Sequence, residues 1–225
     1  MAAPPLAHLR VVDLTDLRGA LAGRILADLG ADVVKVEPPE GDPGRLVPPF
    51  AGNVAAPDRS LAFLYRNAGK RGAVLDLDAP HGRERFATLL AAADVLVENL
   101  GPASEARYGL RPEDVRARHP HLVHVAIADF GLVGPRAAWR LEALPALAAS
   151  GALWASGFPD RPPCWMPGHL AHDCASIVGV LGGLAAVLER ARRGHGQTVE
   201  VSVQEAEEVS ILQHSLSWHG WRRYF

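Results

Sequence analysis

The strongest constraint on this chain is an alternation of short apolar runs with longer amphipathic stretches. Leu9-Arg10-Val11-Val12-Asp13-Leu14 reads as a buried strand. Asp16 is placed to cap a helix over about Leu17 to Leu29, whose Leu21, Ile25 and Leu29 fall four apart on one face. Gly30 supplies a C-terminal stop. Ala31 to Glu37 is a second strand, ended by Pro38-Pro39. Further strands are predicted at Ala73–Leu77, Asp94–Asn99, Leu122–Ile127 and Thr198–Ser202. Between them come helices opened by Pro80 and Pro112, a helix over Ala143–Trp154, and a small-residue helix beginning near Asp173. A last helix starts at about Gln204 or Glu205. Residues 38–68 read as one long Pro-, Gly- and Asp-rich loop. Strand–helix–strand units in series predict an α/β fold: an open, doubly wound, mainly parallel sheet with helices on both faces.

Several function classes are disfavoured. A formal net charge of -2 gives no electrostatic support for binding nucleic acid. Two cysteines, Cys164 and Cys174, are too few for a disulfide framework, and reduced cytoplasmic thiols are the expected state. The N-terminus lacks a basic region followed by an apolar run, so it does not read as a secretory signal. The longest apolar run, Ile177 to Leu188, is predicted too short to span a membrane and holds three glycines. The first strand–helix turn, Thr15 to Gly23, has two glycines four apart, Gly19 and Gly23. It lacks the G-x-G-x-x-G spacing that a dinucleotide pyrophosphate needs. Neither a Walker phosphate loop nor a G-x-S-x-G elbow occurs.

Candidate chemistry is then weighed against structural roles. His119, His121 and His124 lie close in sequence, as do His169 and His172, but neither set has the partners of a zinc site. Surface or capping roles are expected for both, and no metal is called. Lys35, Lys70, Arg71 and Arg107 fall near strand ends. They read as a solvated charge pattern, or alternatively as a phosphate-binding rim. Asp173 stands at a helix mouth. As a structural acid there it would contribute about 0.3–1 kcal/mol to the dipole. The same position would equally stabilise an anionic nucleophile, so position leaves both roles open.

Six ordered stretches carry a resemblance over nearly the whole chain. They are Ala22 to Asp42, Asn67-Ala68-Gly69-Lys70-Arg71 with Leu75-Asp76-Leu77, Asp94 to Asn99, Arg107-Tyr108-Gly109-Leu110, Gly131 to Pro135, and Gly194 to Ser202. Together they closely resemble the family III CoA-transferases of the formyl-CoA and carnitine CoA-transferase type, which also include the α-methylacyl-CoA racemases. The resemblance implies a Rossmann-like large domain, acyl-CoA and a carboxylic acid as substrates, no permanently bound cofactor, and a homodimer of interlocked chains or pairing with a complementary chain. It implies that Asp173 is a catalytic nucleophile, passing through a mixed anhydride to an aspartyl-CoA thioester. It also implies that Arg18, Leu75, Asn99, Leu100, Arg107 and Tyr108 lie near CoA.

Three departures qualify that transfer of roles. Counted back without gaps from Gly194, the nucleophile position falls on His172, and Asp173 is one residue late. A one-residue difference in helix length at the Gly182-Gly183 pair would restore Asp173, whereas one residue otherwise turns a side chain by about 100°. The segment Leu141 to Leu147 lacks the polar pattern usual before the nucleophile helix, and it lacks the histidine base of the racemases. The chain is also much shorter than typical members. Residues 1–203 are expected to form the large CoA-binding domain, with 204–225 leading to a small domain or a partner interface rich in Trp218, Trp221 and Tyr224. Two readings stand: an acyl-CoA transferase, or a non-catalytic CoA-binding or scaffolding subunit of one. Racemisation is a third.

Overall fold

The chain is described as a computed structural model over residues 3–158 and 160–210. Trp218, Trp221 and Tyr224 lie outside the described residues. Among the described residues six strands run as β1 (Arg10–Leu14), β2 (Asp32–Glu37), β3 (Arg71–Val74), β4 (Val95–Glu98), β5 (Val123–Ala128) and β6 (Thr198–Ser202). They form one sheet in the order β3-β2-β1-β4-β5-β6. Every pairing is parallel, with β1 central: Val11 sits opposite Val33 of β2 and Val95 of β4. This is the doubly wound order, and its direction reverses between β1 and β4.

Helices α1 (Ala20–Asp28), α2 (Leu61–Asn67), α3 (Pro80–Ala92), α4 (Pro102–Tyr108), α5 (Pro112–Arg118), α6 (Ala143–Ala149), α7 (Leu170–Arg193) and α8 (Val203–Ser210) cover the sheet. Strands β1, β2, β4 and β5 are buried on both faces, and that burial is why they read as near-continuous apolar runs, whereas the edge strands β3 and β6 are partly exposed. Alternate residues feed two cores. Val11, Val33, Val97 and Val125 pack beneath α1, α6 and α7 with Leu26, Leu147 and Ala175. Val12, Leu14, Val36 and Leu96 pack on the other face with Phe86, Leu90, Leu110 and Val115.

Helix α7 settles why its glycines are where they are. A Cβ on Gly183 would stand 2.9 Å from Val125 Cγ2, and one on Gly182 would stand 2.7 Å from Val199 Cγ1. The pair is therefore a close-approach surface against β5 and β6, rather than slack in the helix. The apolar run expected to be too short for a membrane belongs to this 24-residue helix. By length and mean hydropathy of 1.6 it could cross one. Here it packs as a core helix on β5, β6, α1, α6 and α8.

Several boundaries differ from expectation for identifiable reasons. Helix α1 starts at Ala20, three residues late, because Gly19 holds the N-cap position without a side-chain bond. Asp16 instead turns its carboxylate onto Arg18. Strand β3 is Arg71–Val74 rather than Ala73–Leu77. Its partner β2 runs out at Glu37, where Pro38 begins, so pairing stops at Val74. The long loop contains α2, capped by Ser60, whose hydroxyl accepts from the Phe63 N–H. Helix α4 was also missed, although Pro102 at its first turn and Gly109 at its end mark it. Helix α6 stops at Ala149, short of Trp154.

Lys35 and Lys70 are not solvated. Lys70 Nζ donates to Asp13 Oδ2 at 2.6 Å, and Lys35 Nζ pairs with Asp42 at 2.7 Å, all four side chains at most 3% exposed. Burial pushes the Asp13 pKa up, but the charges of Lys70 and Lys35 outweigh it and hold the carboxyl below its ordinary range. Arg71 and Arg107 do lie at the surface, paired with Asp32 and Asp78. The histidines also depart from expectation: His124 and His172 are core residues, 0% and 2% exposed.

Candidate active site

The polar site gathers at the carboxyl ends of the strands, where the sheet order reverses. Asp16 follows β1 and Asn99 follows β4. Asn99 Oδ1 accepts from the Asp16 N–H at 2.8 Å, and its Nδ2 donates to Asp16 Oδ1 at 2.7 Å. Arg18 clamps the same carboxylate through Nε and Nη2 and donates to the Leu141 carbonyl. Burial would raise the Asp16 pKa; Arg18 and Asn99 overcome that and hold it at about 2. Arg140 then donates to the carbonyls of Asn99 and Leu100, tying residues 140–142 across the cleft.

On the α3–α5 side a groove of about 430 Å³ opens along the ends of β1, β2 and β3. Leu75, Leu100 and Tyr108 line it, with Pro38 and Pro39 opposite. Arg107 stands beside Tyr108, 5.7 Å from its ring, and is held at the surface by Asp78. Four of the six expected CoA-side residues thus gather at this groove. Arg18 and Asn99 form the polar bridge next to it, and Leu100 links the two through Arg140.

Asp173 lies on the other face, in the first turn of α7. It is not a cap: the N-cap is His169, and the Asp173 N–H already donates to the His169 carbonyl. Its carboxylate takes both arms of the Arg66 guanidinium, Nη1 to Oδ1 at 2.5 Å and Nη2 to Oδ2 at 3.0 Å. The Arg66 side chain is 9% exposed and that of Asp173 is 27% exposed. The second turn of α7 meets the first loop, where Ser176 Oγ donates to the Gly19 carbonyl at 3.5 Å.

His172 points elsewhere. Its Nε2 lies 3.5 Å from Asp129 Oδ1, close enough for electrostatic pairing but without hydrogen-bond geometry. Burial would raise the Asp129 pKa, but His172, the Leu141 N–H and Arg18 together lower it. Polar groups therefore run from Asn99 through Asp16, Arg18 and Asp129 to His172, the residue beside Asp173. The one-residue ambiguity in the sequence thus separates two environments: a buried imidazole facing the sheet, and a solvent-reached carboxylate facing Arg66. Sequence reasoning missed Arg66, Asp129 and Arg140. Ser60 three residues before Phe63 was the available signal for Arg66, since it marks the helix that presents it.

The chain is thus a doubly wound α/β protein with a groove along the ends of β1, β2 and β3 and the Asp16–Arg18–Asn99 cluster where the strand order reverses. The chain belongs to CoA-transferase family III, whose family model matches residues 6–224. It is similar to the succinyl-CoA:(R)-benzylsuccinate CoA-transferase subunit BbsE of Thauera aromatica, at 38% identity over 93% of this chain and 51% of the relative. It is also similar to the acetyl-CoA:oxalate CoA-transferase of Acetobacter aceti, at 36% identity over 94% of this chain and 54% of the relative. A crystal structure of a CaiB/BaiF family protein from Brucella suis superposes with a TM-score of 0.90 at 32% identity, over 100% of this chain and 60% of that one. The chain spans about half the length of the curated relatives it matches.

Proposed function

We propose that this chain is the CoA-binding large domain of an acyl-CoA transferase that moves CoA between carboxylic acids through Asp173. The observation that carries this reading is the environment of Asp173, a solvent-reached carboxylate on the first turn of a long helix whose Ser176 meets the Gly19 carbonyl of the first loop. Arg66 occupies one lone-pair direction on each oxygen and leaves others for attack. An Asp173 oxygen adds to the thioester carbonyl carbon, the C–S bond breaks, and CoA leaves as thiolate. The sulfur then attacks the Asp173 carbonyl carbon and releases the donor acid as carboxylate. The acceptor acid runs the same steps in reverse. One thioester is exchanged for another, so the protein's contribution is orientation and charge stabilisation. The groove lined by Leu75, Leu100 and Tyr108 would hold the nucleotide end of CoA, with Arg107 at its rim and Arg18 and Asn99 shaping the cleft between. CoA comes and goes as substrate, with no permanently bound cofactor.

Residues 1–203 are assigned to the large domain and 204–225 to a connection toward a second domain or chain. Relatives about twice as long support a complementary chain or domain, and a homodimer is the alternative within the same proposal. The free thiols of Cys164 and Cys174 support a reducing, cytoplasmic setting. A CoA-binding subunit without transferase activity is the second reading. The engagement of both Asp173 oxygens by Arg66 favours it. Incubation with a panel of acyl-CoAs followed by intact-mass measurement separates the two: a CoA adduct supports transfer, and CoA binding without an adduct supports the subunit.

A further inference from the structure

Arg66 is more than nine-tenths buried, and Asp173 is its ion-pair partner among the described residues. Its two arms lie in line with the two carboxylate oxygens, the fork geometry that recognises a carboxylate. A guanidinium does not lose its proton in a protein. Its charge therefore persists through every step in which Asp173 changes state.

We infer that Arg66 is the binding group for the acceptor acid, and that the charge on Asp173 decides when it is available. The inference rests on Asp173 as the nucleophile and names the substrate contact of that same site. In the resting chain Asp173 fills the fork, and a free carboxylate must compete with it. When CoA is carried on Asp173 as a thioester, the carboxylate charge is gone. A buried cation is then left without its anion, a state that strongly favours capture of another. An incoming carboxylate that takes the fork is held beside the Asp173 carbonyl carbon, the atom it must attack.

The step balances. A carboxylate oxygen of the acid bonds to the Asp173 carbonyl carbon, the C–S bond breaks, and its electron pair leaves with the CoA thiolate. The thiolate next bonds to the acid's own acyl carbon and breaks that carbon's bond to the Asp173 oxygen. Asp173 regains its charge and re-enters the fork as the new acyl-CoA forms. Acid binding after CoA loading is then a consequence of the ion pair itself.

The test reads binding and needs no turnover. Asp173→Asn keeps the side-chain shape and removes the charge, as thioester formation does. Calorimetric titration of the full chain with succinate should show binding about 10- to 100-fold tighter in Asp173→Asn than in the unsubstituted protein. Asp173→Asn with Arg66→Lys should fall between them. Asp173→Asn with Arg66→Gln should return to the unsubstituted level, and dimethyl succinate should distinguish none of them. The Lys variant keeps the charge in the fold and guards against loss of binding by unfolding. Equal succinate affinity in the Asn variant and the unsubstituted protein would overturn the inference, as would tight binding that survives Arg66→Gln. Neither result depends on whether an adduct forms, so failure here is distinct from failure of the transferase reading.

Discussion

Glu105 offers the sharpest stability test, because a buried acid there works against the fold. It sits on α4 at 2% exposure, and its Oε1 has no hydrogen-bond partner among the described residues. Burial is the first cause that raises its pKa; Glu98, Glu200 and Glu113 add repulsion, and Arg111 opposes them, for a value of about 8. In the unfolded chain the same group titrates near its ordinary 4.5. Between those values the unfolded chain has released the proton and the folded chain still holds it. Stability therefore falls as pH rises through that window, by about 1.4 kcal/mol per pH unit from this group. Glu105→Gln removes the titration and keeps the size. Its stability relative to the unsubstituted protein should rise by roughly 4 kcal/mol between pH 5 and pH 8.5. Urea unfolding at the two pH values measures this as a difference, in which the contributions of groups distant from Glu105 cancel. A change under about 1 kcal/mol would show that Glu105 ionises freely in the folded protein, contrary to the burial argument.

Other substitutions probe separate parts of the structure. Lys70→Met leaves Asp13 buried with its closest cation gone, and should cost about 3 kcal/mol in urea unfolding; a loss below about 1 kcal/mol would mean that Lys35 compensates fully. Gly183→Ala drives a methyl toward Val125 and should destabilise by about 1–2 kcal/mol despite the better helix propensity of alanine, so a stabilised variant would contradict the close packing of α7. Tyr108→Ala removes the aromatic wall of the groove and should weaken CoA binding about 10- to 100-fold by calorimetry if an adenine ring stacks there. Unchanged affinity would move CoA out of this groove.

Much of the fold was legible because its inner strands are buried on both faces. Strands β1, β2, β4 and β5 announce themselves as apolar runs, and the alternating Thr198–Ser202 of β6 was bounded to the residue. Strand β3 was displaced because its end is set by Pro38 on its neighbour, a nonlocal cause. Helix α2 was hidden inside a Pro- and Gly-rich stretch, and with it Arg66, which meets Asp173 from 107 positions away. The same distance problem hid the Lys70–Asp13 and Asp129–His172 pairs, since charge composition does not say which charges meet. The groove residues were legible only through family resemblance: Leu75, Leu100 and Tyr108 are unremarkable apolar and aromatic positions until the sheet edge brings them together. Adjacent His172 and Asp173 meet different partners, Asp129 and Arg66, because each residue of α7 turns its side chain by about 100° from the last, a difference that only the helix's rotation against the sheet reveals.

The most direct measurement is intact mass of the chain after incubation with succinyl-CoA, repeated on Asp173→Ala and on His172→Ala. The expected result is a mass gain corresponding to CoA attached through a thioester, absent in Asp173→Ala and retained in His172→Ala. Hydroxylamine should remove it. An adduct that persists in Asp173→Ala, or one lost only in His172→Ala, would contradict Asp173 as the nucleophile.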